Sequence, residues 1–503
     1  YDLVDKNGAN AIHDTVDLTY PDGYTPYQGY NRYSLNGTVT LDLPIRLTFS
    51  GIYSHSEAEL GNDPMVSVNE RRPYDAYDYG VFTAKATKQF SSRSYFEARV
   101  SRLIDNHEQR DGWFDGDWEK WYDSTAVSDY LHSNYDSSSK IFDHATYEHA
   151  WDPREEYQVM GFPIERNGTP RYWYGKSNLN GWEYAIDFKT QLGRHHEITT
   201  GVDLKTYTYR NFDIAAQVMM LTADPEAEYL ADVYPGRYGS KENVPVDDWF
   251  TYGGVYATGY DRFGEESDNK ITYYKDAGQD TIAGITGAPR EPMEFSAYIQ
   301  DKIEYNDLII NAGLRLDYFD SDDRRLKNPG NPDFYQASSF IKDEAWEDID
   351  PYLEITPRLG FSFPTGPASH FYLYYGKFVQ MPQYSNVYNS DQDYKDQIVD
   401  HRYFYDNPIG FGLEPTYTTQ YEIGYNKAFQ NAISLGVNAF YKNQKGLVQS
   451  ELQELPANSN LNSSYIRLSN GDFATTKGIE LRVKLRRVNR LAGSVNYTYT
   501  DAE

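Results

Sequence analysis

Ser296-Ala297-Tyr298-Ile299-Gln300-Asp301-Lys302-Ile303-Glu304-Tyr305-Asn306-Asp307-Leu308-Ile309-Ile310-Asn311-Ala312-Gly313-Leu314-Arg315-Leu316-Asp317-Tyr318-Phe319 reads as two strands joined by a tight turn at Tyr305-Asn306-Asp307. In the second strand Leu308, Ile310, Ala312, Leu314, Leu316 and Tyr318 share one face. Ile309, Asn311, Gly313, Arg315, Asp317 and Phe319 share the other. A period of two is the strand period. About ten alternating residues is the length that crosses a bilayer as a tilted strand. Half of a soluble sandwich would show the same hairpin, so the rest of the chain has to decide.

Outward from this hairpin the same unit recurs. Upstream, paired strands are expected near 35–42 and 45–53, 79–89 and 93–104, and 181–191 and 196–209. Downstream they are expected near 356–364 and 370–380, 416–427 and 431–443, and 475–486 and 491–501. Within each pair the connection is a tight turn, such as Leu192-Gly193-Arg194-His195 or Thr365-Gly366-Pro367-Ala368. Between pairs the chain runs through long polar segments, expected to be structureless loops. Strict alternation of tight turns and long loops is the habit of outer-membrane barrels, and loops of that length argue against an ordinary compact domain. The fold class is therefore all-β: a transmembrane antiparallel meander barrel of about fourteen strands, with short periplasmic turns and long outer loops.

Composition agrees. Of 503 residues, 49 are tyrosine against 24 phenylalanine, and tyrosine suits a site with one apolar end and one wet end, as at a membrane interface. Mean hydropathy is −0.74 and there is no apolar run of helix-spanning length. Cysteine is absent, which excludes a disulfide framework and thiol chemistry. A formal net charge of −28 argues against nucleic-acid binding through a basic surface.

Several stretches then bear a resemblance to the barrel of TonB-dependent receptors, the active transporters of Gram-negative outer membranes. They are Ala297-Tyr298-Ile299-Gln300-Asp301-Lys302 with Asn311-Ala312-Gly313-Leu314-Arg315-Leu316-Asp317-Tyr318, then Pro357-Arg358-Leu359-Gly360-Phe361-Ser362, and Tyr375-Gly376-Lys377-Phe378-Val379-Gln380-Met381-Pro382. Leu413-Glu414-Pro415 with Tyr421-Glu422-Ile423-Gly424 follows, and then Ala474-Thr475-Thr476-Lys477-Gly478-Ile479-Glu480-Leu481 leading into Asn496-Tyr497-Thr498-Tyr499. The resemblance covers about 290–503; before that only the strand rhythm matches. It implies a location in the cell outer membrane of a Gram-negative bacterium, contact with outer-membrane lipid, a small solute or nutrient ligand, and a periplasmic TonB complex reached through a plug. The plug and its energy-coupling box are not visible in these residues, and the family barrel has 22 strands. Residues 1–503 are therefore expected to be an incomplete barrel domain lacking the plug and the C-terminal strands.

Candidate binding residues fall in two groups. Trp113, Trp118, Trp121, Trp151 and Trp173 sit among acids and tyrosines in or beside the long segment from about 105 to 180, where aromatic faces suit carbohydrate, peptide or cation ligands or pack the loop on its neighbours. Arg315, Arg358 and Arg482 point to the inner face by alternation, to line a solute path or to pair with acids such as Asp317 and Glu480. Asp111, Asp115, Asp117 and Glu119 cluster without the spacing of a calcium loop. The histidines show no metal-binding pattern, and no metal or other cofactor is expected. No nucleophile–base arrangement stands out, so no enzyme activity is expected.

Three functions remain open: active uptake of a scarce solute, a passive porin-like channel, and a surface barrel that binds partner proteins through its long loops. The inner/outer assignment is specific. Leu308, Ile310, Leu314, Leu316, Ile433, Leu435, Val437, Ile479, Leu481 and Val483 are expected to face lipid, and Arg315, Asp317, Asn438, Glu480, Arg482 and Lys484 the lumen. Tyr318, Tyr441 and Tyr499 are expected in the outer aromatic girdle.

Overall fold

The computed structural model describes residues 29–59, 74–110, 117–122, 173–215, 254–269, 288–335, 339–399, 408–429, 432–456, 461–488 and 490–503. Shorter pieces are described at 3–5, 11–12, 157–159, 162–164, 238, 241–245, 248–250, 272–275 and 281–285. Fourteen strands form one antiparallel meander. They are β1 (Tyr30–Leu41), β2 (Arg46–Glu59), β3 (Tyr74–Ser91), β4 (Ser94–Arg110), β5 (Trp173–Leu192), β6 (His196–Ala215) and β7 (Met293–Tyr305). The series continues with β8 (Leu308–Asp320), β9 (Tyr352–Gly366), β10 (Ser369–Gln380), β11 (Thr416–Phe429), β12 (Ile433–Glu454), β13 (Ser464–Val488) and β14 (Leu491–Ala502). Each pairs with its sequence neighbours, and the short strand Val255–Thr258 adds to the upper end of β6 to make fifteen.

The opening hairpin has the expected register. Leu314 lies opposite Ile299 on β7 and Pro357 on β9, and Arg315 lies opposite Tyr298 and Thr356. Asn306 takes a positive φ of 52° in the turn, a conformation asparagine tolerates. Because partners in a ladder share a face, one strand's parity fixes its neighbours'. Leu314, Ile299, Leu353, Ile355, Ile423, Ile433, Val437 and Ile479 are all exposed on the outer face. Arg482 lies opposite Gly436 and Glu480 opposite Asn438 on the inner one. Tyr375, Tyr421 and Tyr441 form a lateral belt with ring centroids 5.2 and 6.3 Å apart. Just above it, on the same face, Lys477 pairs with Asp501 at 3.1 Å, as expected where apolar girdle gives way to headgroups. The terminal strands β1 and β14 are exposed along nearly their whole length.

Two expectations need correction. Residues 444–474, read as a loop, are largely the paired upper halves of β12 and β13. Gly446, with φ 73°, marks a register shift between Lys445 and Leu447. Above the bilayer both faces of a strand meet water or other loops, so the alternation that betrays a membrane strand is lost. The outer loops, read as structureless, include a packed cap. Leu326, Ile341, Trp346, Tyr394, Ile398, Phe411 and Tyr465 form one buried cluster drawn from four separate stretches of chain. Its centre is the helix α1 (Asp391–Ile398), started by a capping box in which Ser390 and Asp393 exchange hydrogen bonds. Among the described residues no helix is long and apolar enough to cross a membrane.

Buried carboxyl groups make this cap pH-sensitive. Burial, reinforced by nearby Asp396 and Asp213 and opposed by the Ser390 hydrogen bonds, pushes Asp393 up from the ordinary 3.8 to about 7. Burial also pushes Asp323 up to about 6 against the pull of Arg290. The folded cap therefore holds protons that the unfolded chain has released, and its stability falls as pH rises through this window. In a urea titration followed by tryptophan fluorescence, the cap transition is expected at lower urea at about pH 8 than at about pH 5. Asp393→Asn is expected to remove much of the difference. A midpoint that rises with pH would contradict this.

Candidate functional site

The site is built on the inner face of β6 to β10. Alternation places Asp203 and Lys205 of β6 inward, opposite the outward Val202 and Leu204. Register then brings Lys205 beside Glu294 of β7 and Asp203 beside Ser296. On β8 the same parity presents Arg315, Asp317 and Phe319; on β9, Arg358; on β10, Tyr374 and Phe378. All of these inward side chains but Tyr374 border a cavity of about 660 Å³.

A segment the strands do not supply completes it. After β10 the chain turns inward at Met381-Pro382-Gln383 and makes a single helical turn, Tyr384–Val387. Tyr384 donates its hydroxyl to Glu294 Oε1 at 3.0 Å, and its ring lies 5.7 Å from that of Tyr207 on β6. Tyr388, one turn on, packs against Tyr209 at 5.0 Å and donates to the Ser321 carbonyl. Leaving β10 and anchoring on β6, this segment folds across the inner face of the strands between.

The charges of the site are mostly spent on one another. Arg315 Nε pairs with Asp317 at 2.7 Å, Lys205 with Glu294 at 3.4 Å, and Arg99 with Glu183 at 2.5 Å. Arg358 places its guanidinium 4.8 Å from the Phe378 ring centroid. A second cavity, of about 320 Å³, adjoins the first and shares Arg315 and Arg358; it is floored by Gly313 and Gly360 and walled by Tyr298 and Tyr374. Among the described residues no group of three or more histidine, aspartate or glutamate side chains is arranged to hold a metal ion.

The structure thus brings Arg315 and Arg358 together and leaves Arg482 apart on β13, beyond both cavities. Trp118 is buried at 6% exposure among Phe212 and Trp249, in a small aromatic core outside the lumen. Trp173, at the start of β5, is half-buried with Tyr256 5.9 Å away. Trp113, Trp151 and the side chain of Trp121 lie outside the described residues, as do Asp111 and Asp115. Glu119 pairs with Lys241, and Asp117 with Lys120 at 3.3 Å. Sequence reading missed Lys205, Asp203 and Glu294, although the alternation used for β8 finds them on β6 and β7. It also missed Tyr384 and Tyr388, whose role depends on where the chain goes after the strand.

The sequence matches the family model described as TonB dependent receptor-like, beta-barrel, over residues 4–503. No curated protein matches it. Among solved structures it resembles the FrpB iron transporter from Neisseria meningitidis (F3-3 variant), with 11% identity and a TM-score of 0.50, covering 97% of this chain and 56% of that one. It resembles the copper transporter OprC at 10% identity and a TM-score of 0.51, covering 94% and 53%. It also resembles a double mutant of the Serratia marcescens hemophore receptor HasR in complex with its hemophore HasA and heme, at 11% and 0.50, covering 98% and 56%. At these identities the likeness is one of fold, and the chain spans about half the length of each of those chains.

Proposed function

Because residues 4–503 belong to the TonB-dependent receptor-like β-barrel family of the Gram-negative outer membrane, we propose that this chain supplies much of the wall of a receptor that takes up a scarce solute. In this reading further strands close the wall, a plug obstructs it, and the periplasmic TonB complex supplies the energy. The observation that carries the reading is the lumenal cavity: an inward, charged and aromatic face of an otherwise lipid-facing wall, crossed by its own tyrosine-anchored segment, which leads in sequence into the folded cap. Among the described residues β1 and β14 each pair on one side only, and an unpaired edge cannot stand in lipid, which supports completion by other strands. Solute would be captured under the cap and released through the lumen; the family is one of receptors and transporters, and the reading needs no catalytic step.

The test uses the full-length protein in planar bilayers and in cells. An obstructed barrel is expected to show little steady conductance and to bind the periplasmic domain of TonB, and loss of TonB is expected to abolish solute uptake. A large, steady conductance with no TonB binding would establish the passive channel instead.

A further inference from the structure

We propose that the two adjoining lumenal cavities form one extended seat for an oligosaccharide, a substrate class that rests on the uptake reading above.

The first ground is how the aromatic rings are held. On β10, Gly376 lies between Tyr374 and Phe378; a Cβ there would come within 2.7 Å of the Tyr374 hydroxyl and 3.1 Å of the Phe378 ring. On β6, a Cβ on Gly201 would come within 2.7 Å of the Tyr298 ring, its cross-strand partner. Rings that lean over glycines lie along the wall, which favours presenting a face rather than an edge to the lumen; on Phe378 that face is shared with the Arg358 guanidinium at 4.8 Å. An aromatic face offers a broad apolar surface with a negative quadrupole, which suits the C–H face of a pyranose ring. Tyr298 is fixed in this pose by donating its hydroxyl to Asp187 at 2.6 Å.

The second ground is charge. With Arg315 engaged by Asp317 and Lys205 by Glu294, a highly charged ligand would have to break existing pairs, which costs the desolvation of whichever partner is left alone. Beside Arg358 and Asp105, what remains is directional and neutral: Gln380, Gln383 and Ser385 on the in-turned segment, Ser296 on β7, and Gln300 and Asn311 in the second cavity. Amides and hydroxyls both donate and accept, which matches a ring of hydroxyl groups. The third ground is shape. The two cavities meet at Arg315 and Arg358, so the seat is longer than it is deep, and the guanidinium of Arg358 offers its fork to hydroxyls at the junction. A flat hydrophobe would leave these polar groups unpaired.

The test is calorimetric binding to the purified full-length protein. The probes are maltohexaose, cellohexaose and xylohexaose, with ferric citrate as a non-saccharide control. At least one saccharide is expected to bind, and Tyr374→Ala and Phe378→Ala are each expected to weaken it about tenfold. Heat-resistant gel mobility shows whether the variants have assembled. Tyr374→Phe keeps the ring and is expected to keep most of the affinity. Binding of ferric citrate with none of the saccharides would overturn the inference and leave the uptake reading standing. Saccharide binding that neither alanine variant weakens would place the seat elsewhere. Binding of no probe would also overturn it, and TonB capture by the same preparation would then judge the uptake reading separately.

Discussion

Leu314→Arg is expected to prevent most of the full-length protein from assembling, while Asn311→Arg assembles normally and changes solute passage. The two positions are three residues apart on β8 and face opposite ways. Leu314 is 54% exposed on the outer face, between Ile299 and Pro357. It lies six residues above the turn; at about 3.4 Å per residue and a tilt of about 40° that is about 15 Å, near the middle of an apolar band about 25 Å tall. Arginine at that depth costs about 2–4 kcal/mol. The strand cannot escape by slipping one residue, because that would bring Arg315 and Asp317 outward instead. Asn311 borders the second lumenal cavity, where an added cation meets water and other polar groups. Assembly read by heat-resistant mobility would decide it, and equal tolerance of both substitutions would mean that this strand does not lie in a membrane.

The second large effect concerns the cap. Trp346→Ala is expected to loosen it while leaving the membrane wall intact. The indole is 6% exposed and packs edge-on against Tyr394 of α1 at 4.7 Å and against Phe411 at 6.5 Å. Its face carries the guanidinium of Arg324 at 4.3 Å, and Arg324 also pairs with Asp391 at the start of α1. Removing a buried tryptophan costs about 3–5 kcal/mol, which is large against the handful of contacts that join these loops. Limited proteolysis should then cut near 326–346 and 391–411 in the variant and spare the wild type. A cap that stays protected would show that α1 is held by its polar contacts instead.

The difference between these two regions also explains what the sequence reveals. Within the membrane, one solvent on each side of the wall forces alternation, so Leu308 to Tyr318 state both their secondary structure and their orientation. Arg315 and Arg358 could be placed on the lumen by that rule alone. The cap obeys no such local rule. Leu326, Trp346, Tyr394, Ile398 and Tyr465 come from segments far apart in the chain, each contributing only a residue or a few, so no periodicity announces them. The one local signal there, the Ser390-Asp391-Gln392-Asp393 capping box, goes unread in a segment that reads as a loop. Tryptophans in polar loops are ambiguous for a related reason: packing and display use the same residue, and only the neighbours of Trp118 show that its ring is enclosed.

The long hairpin of β12 and β13 has a mechanical consequence. At 22 and 25 residues these strands extend for about 75–85 Å along the chain, or about 55–65 Å in height at the same tilt, against the 25 Å apolar band. Roughly half of the hairpin therefore stands clear of lipid as a mast, with its backbone hydrogen bonds still paired across the ladder. Tyr465 and Leu455, near its top, are planted in the cap core. The cap is thus carried at a set height by a stiff ribbon continuous with the wall, and any tilt of that ribbon at the register shift beside Gly446 would be felt at both ends. In the uptake reading proposed above, a solute would first meet the protein at that height, well above the headgroups.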